Sequence, residues 1–145
     1  MGDPVVIIHS FAHAKGALKA AARAGRGVVL LSAAGAGSYL GPGWFSALLE
    51  AARAEAPEAK CAAFLDCGDD AGAALAAIRG EVPGVVFTGR GDIARRLADL
   101  AEQHGVRFLT ERPPAAIDLG EDFFASAEEA ERRSAEVLAQ KPRSC

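Results

Sequence analysis

Short apolar runs alternate along this chain with longer stretches whose apolar residues recur at helical spacing. Pro4–Ser10, PVVIIHS, is β-branched and too short for a helix, so it predicts a strand buried on both faces. Ala12–Ala24 is rich in Ala, Lys and Leu and predicts a helix, with Ser10 as its N-cap and Gly25 and Gly27 ending it. Val28–Ser32 is a second apolar run, followed by the glycine-rich Ala33–Gly43. Trp44–Ala56 predicts a helix with Trp44, Leu48, Ala51, Ala52 and Ala56 on its apolar side, ended by Pro57. Lys60–Asp66 predicts the third strand, and Asp69 or Asp70 caps a helix over Ala71–Arg79. Val85–Thr88 and Val106–Thr110 predict two more strands around a helix at Ile93–His104, whose apolar face is Ile93, Leu97, Leu100 and Ala101. Beyond Glu111 the character changes. Pro113-Pro114 blocks regular pairing, and Ile117-Asp118-Leu119 is at most a brief edge strand. Ser126-Ala-Glu-Glu129 is a capping-box pattern that opens a helix over about Ala127–Gln140, before a tail at Lys141–Cys145.

Strands alternating with helices predict a parallel sheet. The expected fold is a single α/β domain over residues 1–145, a three-layer α/β/α sandwich around five parallel strands. A flavodoxin-like order of 2-1-3-4-5 is the first expectation and a Rossmann-like order the second. A closed barrel would need about 250 residues. Right-handed crossovers collect the carboxyl ends of all strands on one edge. His9, Ser10, Ser32, Asp66, Thr88, Arg90, Thr110, Glu111 and Arg112 fall there.

Composition narrows the function classes. A net charge of −3 and a pI near 5.6 argue against a nucleic-acid partner, which would select a basic face. No apolar run approaches the ~20 residues of a membrane span. MGDPVVII has no basic segment ahead of its apolar run, so no secretory signal is expected. The three cysteines have no framework spacing, which fits a reducing, cytoplasmic compartment. Cys61 and Cys67, if extended, lie roughly 20 Å apart, too far for a disulfide or a shared metal.

Ala33–Gly43 exceeds the ~2–6 residues usual for such connections. Gly35, Gly37 and Ser38 present backbone amides suited to an anion, with Tyr39 and Trp44 as flat apolar walls. The alternative is a long structural turn. Gly35-x-Gly37-x-x-x-Gly41 is one residue too long for the dinucleotide fingerprint, and Gly41-Pro42-Gly43 is expected to delay the next helix. Thr88-Gly-Arg90-Gly-Asp92 places a hydroxyl and a cation at a helix start, either holding a phosphate or forming a plain turn capped by Asp92. Glu111 and Arg112 are expected to pair with each other or with Arg90. His9, Ser10 and Asp66 sketch a base, a nucleophile and an acid, although a strand-end His commonly serves only a loop carbonyl. His9 and His13 lack a third ligand at metal spacing, so no metal site is expected. No cofactor is identifiable.

TGRGD, the helix after it and GVRFLTERP resemble the segment from the fourth to the fifth strand of response-regulator receiver domains, over about residues 85–113. The resemblance implies Thr88 at the family's switch position and Asp66 at its phosphoacceptor position. Arg112-Pro113 stands where the family has Lys-Pro, and His9-Ser10 where it has acidic metal ligands. The resemblance therefore implies a receiver-like fold without the receiver's phosphoryl chemistry. Two functions follow as expectations. One is a non-catalytic module that binds a small anionic ligand or a protein partner at the strand ends. The other is a small-metabolite transferase or hydrolase using His9, Ser10 and Asp66.

Overall fold

The computed structural model describes residues 2–122 and 126–140. The tail at Lys141–Cys145 lies outside the described residues. The elements in chain order are β1 (Val5–Ile8), α1 (Phe11–Ala24), β2 (Val28–Ser32), α2 (Ala36–Tyr39), α3 (Gly41–Glu55), β3 (Cys61–Asp66), α4 (Ala71–Arg79), β4 (Gly84–Val86), α5 (Gly91–His104), β5 (Arg107–Leu109), β6 (Ile117–Asp118) and α6 (Ala127–Leu138). A short 3-10 turn, Leu119–Asp122, follows β6.

The α/β class and the parallel sheet flanked by helices are as expected, but the sheet has six strands rather than five. The sixth is the brief run at Ile117-Asp118, which pairs with β1 in parallel, Val6 opposite Ile117. Ala116 donates its amide to the Val5 carbonyl and leads the chain into that register. The strand order, β5-β4-β3-β2-β1-β6, also departs from both the flavodoxin-like and the Rossmann-like expectation. From β1 to β5 each strand adds beside its predecessor, with no reversal around β1. Hydrophobic alternation identifies the repeating strand–helix unit, but it carries no signal for the side on which the next strand adds.

Contacts divide the chain into two compact units, and β2 and β3 each contribute residues to both. The first comprises Met1–Leu30, Leu48–Ala62 and Pro114–Cys145. Here α1 packs on α6. A Cβ at Gly16 would stand 2.6 Å from the Ala127 carbonyl oxygen and 2.7 Å from the Ala130 Cβ, so glycine lets the two helices close. Ala17, Leu18, Ala21, Ala130 and Leu138 are buried in the same unit. Ser10 caps α1 by accepting from the His13 amide, and Ser126 caps α6 by accepting from the Glu129 amide, both as the sequence predicts. Arg26 donates to the carbonyls of Leu138 and Gln140, covering acceptors left open at the end of α6.

The second unit comprises Leu31–Ala47 and Ala63–Pro113. Phe45, Leu65, Ile78, Val85, Val86 and Phe87 form its core. Asp70, not Asp69, caps α4 through the Ala73 amide. The buried face of α5 is Ala94, Leu97 and Ala101, with Ile93 and Leu100 half-buried at its border. Along α3, Leu48 and Ala52, with Ala56 just beyond its end, are buried as expected and Phe45 and Leu49 are buried beside them, while Trp44 is half-buried and Ala51 exposed. That helix starts at Gly41 rather than Trp44. Gly41-Pro42-Gly43 does not delay it, because a proline in the first turn loses no hydrogen bond and is already set at helical φ.

Candidate functional site

The glycine-rich stretch is largely helical. After β2 the chain turns once, Gly35 takes the left-handed backbone at φ 70°, and α2 follows directly. Gly37 packs against the segment after β3, where a Cβ would lie 2.6 Å from the Cys67 Sγ. Its smallness serves that close approach. Ser38 hydrogen-bonds the side chain of Asp70, and Tyr39 and Leu40 point to solvent, 67% and 41% exposed. Tyr39 is therefore not a buried wall of a crevice, and Trp44 is only half-buried beside Phe45.

Asp66 is the hub of the second unit. Its side chain is only 2% exposed, and a buried carboxylate needs partners for both oxygens. Oδ1 accepts from the amides of Gly35 at 3.1 Å and Gly68 at 2.7 Å. Oδ2 accepts from Nη1 of Arg112 at 2.6 Å. The same Nη1 donates to the Ser32 carbonyl at 3.3 Å. The Asp66 amide in turn donates to the buried Ser32 Oγ at 2.8 Å. The amide of the glycine stretch thus serves an anion of this chain. Arg112 pairs with Asp66 instead of Glu111, and its own side chain remains 29% exposed. Only Nη1 of Arg112 has a partner among the described residues; Nε and Nη2 retain their donors.

Around this hub, Thr88 is exposed, and its amide donates to the Gly68 carbonyl. Arg90 grips Asp92 with two hydrogen bonds of 3.1 and 2.9 Å. Arg90 occupies the N-cap position of α5 without a side-chain cap bond, and Asp92 lies inside the first turn, where its charge suits the helix dipole. Cys67 is buried. Desolvation, then the charges of Asp66 and Asp70, push its thiol up to about 12.

The other candidates belong to the first unit and find partners there. His9 holds Asp118, with Nε2 2.7 Å from Oδ1, and Oδ1 also accepts from the Gly120 amide at 2.8 Å. The His9 amide donates to Nδ1 of His13 at 3.0 Å. His13 is fully buried, and its ring meets that of His9 edge to face at 5.9 Å. Ser10 Oγ is the α1 cap. In the second unit, His104 sits in the last turn of α5. Sequence reasoning missed Asp118 and Gly120. Their one sequence signal is Asp-x-Gly, a turn in which the carboxylate accepts from the amide two residues on. No group of three or more His, Cys, Asp or Glu able to hold a metal occurs among the described residues. None of their helices is long and apolar enough to cross a membrane. No family model and no curated protein matches this chain.

Proposed function

We propose that this protein is a cytoplasmic binding module for a small anionic ligand, recognised by the guanidinium of Arg112. One observation carries the reading. Arg112 is held through a single nitrogen by the buried Asp66, while Nε and Nη2 have no partner among the described residues and the side chain is partly exposed. An arginine oriented in advance loses little freedom when it meets a carboxylate or phosphate, and its planar fork suits two oxygens at once. The exposed hydroxyl of Thr88 supplies a further donor of the same unit. Asp66 acts here as a positioning group. Both of its oxygens already accept hydrogen bonds, which favours that role over the phosphoacceptor role implied by a receiver-like reading.

The single tryptophan, Trp44, reports on this unit in a titration. Inorganic phosphate, acetyl phosphate and citrate are added in turn. At least one should shift Trp44 emission saturably, Arg112→Gln should remove the shift, and Thr88→Val should weaken it. An unchanged spectrum with all three anions, in protein verified as folded, overturns the proposal.

The exposed Tyr39 and Leu40 favour a second reading, a protein partner docking on the corner between α2 and α3. Tyr39→Ser with Leu40→Ser would abolish partner capture while leaving any anion titration intact.

A further inference from the structure

We propose that His9 and Asp118 form an acid–base dyad that hydrolyses small carboxylic esters, independently of the anion site at Arg112. The two residues stand at the carboxyl ends of β1 and β6, which are neighbours in the sheet. In open parallel sheets that end is where ligands meet the protein.

Three features fix the imidazole. Nε2 lies 2.7 Å from Asp118 Oδ1. Oδ1 is itself held by the Gly120 amide at 2.8 Å. The backbone of Gly120 closes on the ring, so that a Cβ there would fall 2.2 Å from His9 Nε2 and 2.5 Å from Cδ2. A carboxylate on Nε2 places the proton on that nitrogen in the neutral ring and leaves Nδ1 as the basic lone pair. Nδ1 has no partner among the described residues, and the side chain is 23% exposed.

The next residues supply the complementary charge. Helix α1 begins at Phe11, has no acidic residue in its first turn, and its cap Ser10 engages only the His13 amide. The amides of Phe11 and Ala12 have no acceptor within the helix. In the proposed reaction these amides are the donors assigned to the oxygen on which negative charge grows when a carbonyl is attacked. The exposed Phe11 ring, with Lys15 Nζ 5.9 Å from its centroid, offers an apolar surface for a short acyl or aryl group.

In the step, Nδ1 of His9 takes a proton from water as the water oxygen bonds to the ester carbonyl carbon. The tetrahedral intermediate then expels the alcohol. The carbon–oxygen bond to the leaving group breaks, and the proton on Nδ1 passes to the departing oxygen. No redox change is involved. Asp118 is a positioning residue that keeps the ring in the productive tautomer.

The test follows p-nitrophenyl acetate hydrolysis by the full chain, alongside nitrogen-15 NMR of the histidine rings. The wild type should hydrolyse the ester above the buffer rate, more slowly in heavy water, and carry His9 as the Nε2–H tautomer. His9→Gln should lower the rate about 100-fold, and His104→Gln should not change it. Asp118→Ala should lower kcat with KM retained and mix the His9 tautomers, a signature that lost folding alone would not produce. A wild-type rate no higher than buffer, an unchanged rate in His9→Gln, or His9 found as the Nδ1–H tautomer in the wild type each overturns the proposal. The tautomer readout needs no variant, so it decides even where a substitution fails to fold.

Discussion

Arg112 reaches back across 46 residues of sequence to place Nη1 2.6 Å from Oδ2 of Asp66. The contact converts a carboxylate that would be costly to bury into the point where β2, β3 and the segment after β5 are tied together. Removing the cation leaves that charge buried with only two amide donors. Arg112→Met should therefore lower stability by about 3 kcal/mol, the lower end for breaking a buried pair because Arg112 is partly exposed. Urea denaturation measures it as a fall in midpoint. Asp66→Asn with Arg112→Met should recover part of the loss, since the neutral amide needs no cation.

Gly37 should tolerate no side chain. Gly37→Ala puts a Cβ where the Cys67 Sγ stands 2.6 Å away, and overpacking of this kind costs roughly 1–3 kcal/mol. Cys67→Ala should relieve much of it. A double-mutant cycle in thermal melts gives the coupling, and independent effects would count against the contact.

The two described cysteines should differ sharply in reactivity. With its thiol at about 12, Cys67 is thiolate in roughly one molecule in ten thousand at pH 8, and it is buried as well. Cys61 is half-exposed, with Arg53 Nη2 3.5 Å from its sulfur. Brief iodoacetamide treatment of the native protein should label Cys61 and spare Cys67, read by peptide mass after digestion.

Helix α4 should loosen in acid. The Ala73 amide and then the Ser38 hydroxyl hold the carboxyl of Asp70 below its ordinary value in the folded chain. A depressed carboxyl stabilises the fold above its unfolded value, and that contribution disappears as pH falls through the folded one. Exchange of the Ala73 amide should accelerate over that acid window, and Asp70→Asn should flatten the dependence.

Acetyl phosphate with Mg²⁺ should leave the protein mass unchanged, because each Asp66 oxygen is already engaged. A stoichiometric phosphoryl gain, abolished by Asp66→Asn, would restore the receiver-type role for this residue.

Local chemistry was legible in the sequence. The alternating strand and helix runs, the caps Ser10, Asp70 and Ser126, and the span of α4 at Ala71–Arg79 all appear where residue type and spacing put them. Those features depend on contacts within about four residues, which periodicity and capping rules read directly. Only the tertiary structure decided the strand order, the promotion of Ile117-Asp118 to a sixth strand, and the identity of each charged partner. His9 meets Asp118 across 109 residues, and Asp66 meets Arg112 across 46. Nothing in the local sequence favours Asp118 over Asp66 for His9, or Asp66 over Glu111 for Arg112. Those choices follow from which strand ends the packed sheet brings side by side, and from the need of every buried charge to find a partner there.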